Sequence, residues 1–249
     1  MVINNIKDLL KDIFLLIKII YNFLIEVFIL IYFTVFYPLN RFIKSLSKGY
    51  FEHRADKIFF EKYPSMRKIQ NVLNNIFEDY SPFEISIEEN NDMSLTYGET
   101  PWLTISKIIN EIEIFSDDIF VELGSGMGFF SFFMNQVFGI NSIGLEIREK
   151  FVIITNRIVD ILDLRNIKFI KTDIFEYDFS YATIIYLTAT CFSSRQLEIL
   201  GDKFNSLQVG TRLIMVSQGI SLSTFRLLKR RIFNFSWGPG SVFFYEKIK

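Results

Sequence analysis

The 249-residue chain has one cysteine, one histidine, five prolines and almost no charge imbalance, and each shortage removes a class of chemistry. Cys191 alone cannot close an intramolecular disulfide. With His53 as the only histidine, neither a histidine-rich metal site nor a four-cysteine zinc site can be assembled, so no metal is expected. A Ser-His-Asp triad would have to rest on His53, which reads as a surface polar group in the basic stretch before the catalytic domain. Lys+Arg 27 against Asp+Glu 28 gives a formal net charge of −1, without the basic footprint of a nucleic-acid binder, and no nucleic-acid partner is expected. What the chain has in quantity is apolar surface: half of it is hydrophobic and 29 residues are Phe, which excludes disorder. The remaining chemistry belongs to carboxylates, backbone amides, hydroxyls or a cofactor.

The longest apolar run, Ile13 to Tyr37, ends at Pro38. As a helix its 25 residues would extend roughly 37 Å, enough for a hydrocarbon core of about 30 Å. Lys18, Asn22 and Glu26 recur every fourth residue and form one polar stripe on that helix. The stripe can be matched across a helix dimer, snorkel toward headgroups, or mark a helix lying in the interface or on a soluble domain. Behind Pro38, as far as Lys68, eight basic residues face three acidic ones, a net of 8 − 3 = +5. Positive flanks stay on the cytoplasmic side and meet anionic lipid heads. These features predict a single-pass membrane protein with its C-terminal part in the cytoplasm and with lipid as a partner of residues 13–37 and the basic flank. The expected organisation is an anchor over 1–40, a basic helical connector over 41–94 and a catalytic domain over 95–249.

Beyond the acidic, poorly periodic stretch Ser81 to Ser94, strand and helix signals alternate. Pro101 to Ile114 reads as a helix with Thr100 as N-cap and Pro101 at its first position. Strands are expected at Ile119 to Leu123, Ser142 to Leu145, Ile167 to Ile170, Thr183 to Leu187 and Thr211 to Val216. Helices are expected at Phe129 to Phe138, Lys150 to Leu162 and Arg195 to Phe204. This order implies an α/β fold, a parallel sheet with helices on both faces.

The first strand runs through Glu122 and Leu123 into Gly124-Ser125-Gly126-Met127-Gly128 and then directly into a helix. Glycines allow a tight turn and close ligand approach, and the helix start offers free amides. A dinucleotide fingerprint would need glycine at 129, where the chain has Phe. An acid before the loop would repel a pyrophosphate but suits the ammonium of an amino-acid moiety, which points to S-adenosylmethionine. Glu146 ends the second strand, where a carboxylate can accept both ribose hydroxyl hydrogens. Asp173 follows the third, where it can bind an adenine amine while Ile174 covers the ring.

Tyr97-Gly98-Glu99-Thr100, followed by Asp117 to Gly126, resembles the class I methyltransferases, and among them most closely the non-SET histone lysine methyltransferases of the disruptor-of-telomeric-silencing family. The resemblance covers roughly Leu95 to Ile248. It implies a seven-stranded, mostly parallel, Rossmann-like sheet, S-adenosylmethionine as cofactor, and cofactor contacts from Tyr97, Glu99 and Thr100. After the fourth strand, where the family carries two asparagines, this chain reads Thr188-Ala189-Thr190-Cys191-Phe192. The late tyrosine pair becomes Phe244-Tyr245. The expected catalytic set is Thr188, Phe192 and Tyr245, with Phe192, Trp237, Phe244 and Tyr245 as walls of an apolar acceptor channel. The expected donor set is Tyr97, Glu99, Thr100, Glu122, Gly124, Ser125, Gly126, Gly128, Glu146, Asp173, Ile174 and Thr188. The expected function is methyl transfer to a protein lysine. A lipid-soluble small-molecule acceptor and a catalytically silent, donor-binding regulator are the alternatives.

Overall fold

Alternating side-chain directions along the strands sort the residues of this domain onto two faces of one sheet. The computed structural model describes residues 56–77 and 98–249. Its elements run α1 (Pro64–Phe77), α2 (Trp102–Ile109), β1 (Ile119–Leu123), α3 (Phe129–Phe138), β2 (Asn141–Glu146), α4 (Glu149–Ile161), β3 (Ile167–Lys171), β4 (Ile184–Thr188), α5 (Ser194–Asn205), β5 (Arg212–Val216), β6 (Phe225–Phe235) and β7 (Gly238–Lys247). They form a seven-stranded sheet of order β3-β2-β1-β4-β5-β7-β6. β1 to β5 are parallel, while β7 runs antiparallel to both β5 and β6. The sheet is therefore mixed rather than mostly parallel throughout. The reason is local: β6 and β7 are joined by Ser236-Trp237 alone, and so short a connection can make only an antiparallel pair.

One face carries Phe120 of β1, Ile184 and Tyr186 of β4, Ile214 and Val216 of β5, and Phe244 of β7. Against it pack Phe130, Phe132 and Phe133 of α3, Phe151 and Ile158 of α4, and Trp102 and Ile105 of α2. The next residues along the same strands, Val121, Ile185, Leu187, Leu213, Met215 and Tyr245, lie in the second core with Leu200 and Phe204 of α5. In α1, Met66, Ile69 and Leu73 are fully buried at helical spacing, and Gln70 accepts a 2.6 Å bond from the Trp102 indole. The described part of the expected connector thus packs on α3 and α4 within the same compact unit as the sheet. The expected boundary near residue 94 lies outside the described residues.

The single-pass membrane localisation is corrected. Among the described residues no helix is long and apolar enough to cross a membrane, and residues 13–37, on which the expectation rested, lie outside them. The anchor segment, on which the expected lipid contacts and helix dimer depend, lies outside the described residues. A smaller correction concerns α2, which begins after Pro101 and ends at Ile109, five residues short of the expected end. Thr100 does not cap it, because its hydroxyl is engaged by Tyr186.

Candidate active site

Five parallel strands present their C-terminal ends to one side, and there the chain encloses a cavity of about 600 Å³, within the usual range for small-ligand sites. Its floor is the turn after β1. Gly124, Gly126 and Gly128 all have positive φ, at 74°, 49° and 71°, a region that side chains make costly. Gly124 and Ser125 both donate to the Leu145 carbonyl at 2.9 Å, which fastens the turn to β2. A Cβ built on Gly124 would meet nothing within 4 Å, whereas one on Gly128 would lie 2.3 Å from the Phe169 ring. The first glycine faces open space and the last is needed for packing. Accordingly Gly128 does not line the cavity.

Gly128 is also the N-cap of α3, and with no side chain it cannot cap. Glu122 does so from β1: its Oε2 accepts the Ser131 backbone N–H at 2.9 Å and the Ser131 hydroxyl at 2.6 Å. Burial nevertheless pushes this carboxyl up to about 8, the Ser131 bonds opposing the shift and the neighbouring Glu146 adding to it. At the end of β2, Glu146 accepts from Gly126 N at 2.8 Å through Oε2 and from Arg148 N at 2.9 Å through Oε1. Burial raises its pKa too, against those bonds and the Arg148 charge. Asp173, past β3, accepts from Phe175 N at 2.8 Å, and Ile174 beside it is buried.

The opposite wall comes from residues far apart in sequence. Gly98 packs under Trp237 so closely that a Cβ would lie 2.6 Å from the indole ring. Glu99 donates its N–H to Ser236 Oγ at 2.9 Å and accepts from Ser236 N at 3.1 Å. The Thr100 hydroxyl lies 2.7 Å from the Tyr186 hydroxyl, and Thr188 donates to the same phenol oxygen at 3.3 Å. Thr104 donates to the carbonyl of Asn234. The β6–β7 hairpin therefore clamps the 98–100 loop against the end of β4. Burial alone brings the Glu99 carboxyl up to about 7. Gln218, after β5, donates to the carbonyls of Ala189 (2.8 Å) and Phe192 (3.0 Å) and shapes the loop that carries Phe192.

Of the expected residues, Glu99, Thr100, Glu122, Gly124, Ser125, Gly126, Glu146, Asp173, Ile174, Thr188 and Phe192 converge on this cavity. Tyr97 lies outside the described residues. Tyr245 is a correction: it points to the second core, where its hydroxyl accepts from Ile220 N at 2.9 Å, because on β7 it falls on the face opposite Phe244. Phe244 is itself buried in the first core, and of the expected walls Phe192 and Trp237 line the cavity. Sequence reasoning missed Tyr186, Arg148, Phe151, Phe175 and Gln196. Tyr186 had a readable signal: in the apolar strand Ile184–Thr188 it is the one phenol, and it shares a face with Thr188.

Glycine-turn geometry under a parallel sheet, with acids at the ends of β1 and β2, defines a class I methyltransferase. Glu122, Glu146 and Glu99 suit a ligand that brings its own positive charges, and the open space at Gly124 leaves room for one against the turn. The family model described as "Histone methylation protein DOT1" matches residues 88–235, more than half of the chain, and the chain belongs to that family. It is an S-adenosylmethionine-dependent methyltransferase. Among solved structures it is similar in fold to an RNA methyltransferase from Salinibacter ruber in complex with S-adenosyl-L-homocysteine. That pair is 20% identical, with a TM-score of 0.51 over 60% of this chain and 94% of the other. It is similar also to TrmN from Thermus thermophilus (14%, 0.51, 67% and 52%) and to the putative methyltransferase yhhF from Escherichia coli (9%, 0.50, 58% and 86%). No curated protein matches the sequence.

Proposed function

We propose that this methyltransferase transfers its methyl group to a protein lysine. The observation that carries the reading is the composition of the cavity around Thr188: the aromatic rings of Phe192 and Trp237 and the carboxylate of Glu99, the last on a loop fixed by Ser236. A lysine side chain, slender and cationic on arrival, matches aromatic walls and one carboxylate.

In this reading Glu146 holds the ribose of S-adenosylmethionine, Asp173 and Ile174 its adenine, and Glu122, Gly124, Ser125 and Gly126 its amino-acid end. The cofactor supplies an already activated sulfonium methyl group. The protein's task is alignment and exclusion of water. The acceptor nitrogen must arrive with a free lone pair, which forms the new N–C bond as the S–C bond breaks, leaving a neutral thioether and one proton for solvent. Lysine has a reference pKa of about 10.4, and desolvation between Phe192 and Trp237 favours its neutral form.

Labelled-methyl transfer into a cell lysate, followed by mass spectrometry of the labelled species, tests the reading. Methyl groups on lysine side-chain nitrogen are expected. Methyl groups on a carboxylate, a nucleobase or a small molecule would overturn the lysine assignment, and donor binding without turnover would make the chain a regulator.

A further inference from the structure

The cavity contains a chain of three hydroxyls that the expected site did not include as a unit. β4 places Tyr186 and Thr188 on one face, and Tyr186 is 2% exposed, with its ring 4.3 Å from that of Phe130 under α3. Its hydroxyl lies between Thr100 on one side and Thr188 on the other. Thr100 is 86 residues away in sequence, so the loop and the strand meet only through the fold.

Counting protons gives this chain a direction. Thr188 donates to the Tyr186 oxygen. A phenol has one hydrogen, and the Thr100 oxygen is the acceptor recorded within its reach among the described residues. Buried hydroxyl hydrogens are rarely left unpaired, so Tyr186 donates to Thr100. The order is Thr188 to Tyr186 to Thr100. Thr188, its hydrogen turned inward, offers lone pairs to the cavity it lines. At 3.3 Å its bond is long for a hydroxyl pair, which aims the oxygen without saturating it. Burial, with Glu122 nearby, raises the Tyr186 pKa, so the phenol keeps its hydrogen at alkaline pH, where more of an amine is neutral.

We infer that Tyr186 is a positioning residue: through its bond with Thr188 it presents the Thr188 oxygen as the acceptor for an N–H of the amine that receives the methyl group. The inference rests on the amine reading above and deepens it. An amine attacking through its lone pair still has N–H bonds to place, and holding one of them fixes the direction of that lone pair. A carboxylate or phosphate oxygen has no such hydrogen to give. The hydroxyl chain thus favours an amine over a carboxylate or phosphate oxygen.

The test uses the full chain, with S-adenosylhomocysteine bound and n-butylamine as the acceptor probe, followed by ligand-observed NMR. Wild type and Thr188→Ser are expected to bind the amine, whereas Tyr186→Phe and Thr188→Val bind it about tenfold more weakly, the usual worth of one hydrogen bond. Calorimetry with S-adenosylmethionine should show donor affinity within about threefold of wild type in all three variants, a margin smaller than one hydrogen bond. Butanoate, of the same length, should not bind. Equal amine binding by wild type and Tyr186→Phe would overturn the inference, as would no amine binding by wild type. A parallel fall in donor affinity would overturn it too, by showing that the chain serves the donor. These readouts are independent of the methylated product, so methylation of another amine would remove the lysine reading alone, whereas methylation of an oxygen would remove both.

Discussion

The two halves of the cavity are built by different means. The half formed by the ends of β1, β2 and β3 draws on short contiguous motifs: the glycine turn follows Glu122 directly, and Glu146 closes onto Gly126 only 20 residues away. The half formed by the 98–100 loop, β4 and the β6–β7 hairpin is assembled across 86 to 137 residues of chain. Local construction is fixed by backbone geometry and leaves a fixed spelling in the sequence. Remote construction is fixed by which side chains meet, and many spellings can satisfy it. In this protein the described residues expected of the first half, Gly128 apart, line the cavity, whereas Phe244 and Tyr245 of the second half turn into the two cores.

The largest expected effect separates packing from ligand approach inside the glycine turn. Gly128→Ala forces a side chain into positive φ and against the Phe169 ring, and we expect a loss of about 2–4 kcal/mol of stability in thermal or denaturant unfolding. Gly124→Ala carries the backbone strain alone, about 1–2 kcal/mol, and its methyl group projects into open space. Its excess loss should appear in donor affinity measured by calorimetry. If Gly124→Ala left donor affinity unchanged, the turn would not be the surface against which the donor lies.

Next in size is Glu146→Ala. It removes a charge-assisted acceptor proposed for the ribose and leaves the N–H groups of Gly126 and Arg148 without their partner. Donor affinity should fall by about 2–3 kcal/mol, read by titration calorimetry. Glu146→Gln, which keeps one oxygen, should lose less. Unchanged affinity in the alanine variant would dissolve the donor half as a unit.

These local features were legible in the sequence because period-2 strands and glycine turns constrain consecutive residues. The sequence pattern marks β1 and α3 to the residue, and β2, β3, β4, α4 and α5 to within one residue at each end. β6 was not read: Phe225–Phe235 has Leu227, Leu228, Arg230, Arg231 and Ile232 exposed, and with so little of either side buried no alternation was selected. Tyr245 was misplaced for a related reason. Two adjacent aromatics at 244 and 245 must face opposite ways, and here one enters each core and neither the cavity, which the sequence does not say. Glu122 was read as an acid for the donor's ammonium, but its role as surrogate cap for α3 required knowing that Ser131 would lie above it.

That double duty gives a smaller, pH-dependent prediction. The folded Glu122 carboxyl holds its proton to about 8, while the unfolded one releases it near its ordinary 4.5. The raised value means that its contribution to stability is fully present below about 4.5 and is lost as pH rises through about 8. Glu122→Gln keeps an oxygen for Ser131 and never ionises. It should match wild type at acid pH, exceed it in melting temperature at pH 9, and bind donor more weakly. A variant that melts with wild type across the whole range would show that Glu122 is not ionising against burial.

The smallest expected effect tests the remote half. Ser236→Ala removes the acceptor of the Glu99 N–H but keeps the return bond from Ser236 N to the Glu99 carbonyl, so only one of the two ties is cut. A single neutral hydrogen bond is worth about 1 kcal/mol, and the domain should remain folded. The loosened loop should show as faster amide exchange at Glu99, and as a few-fold lower turnover with donor affinity closer to wild type, because the hydrogen bonds of Ser236 run to Glu99. Ser236→Thr restores a hydroxyl and should recover the slow exchange. If Ser236→Ala instead weakened donor binding as severely as Glu146→Ala, the 98–100 loop would belong to the donor half. The boundary between the walls that hold donor and acceptor would then no longer coincide with that between locally and remotely built ones.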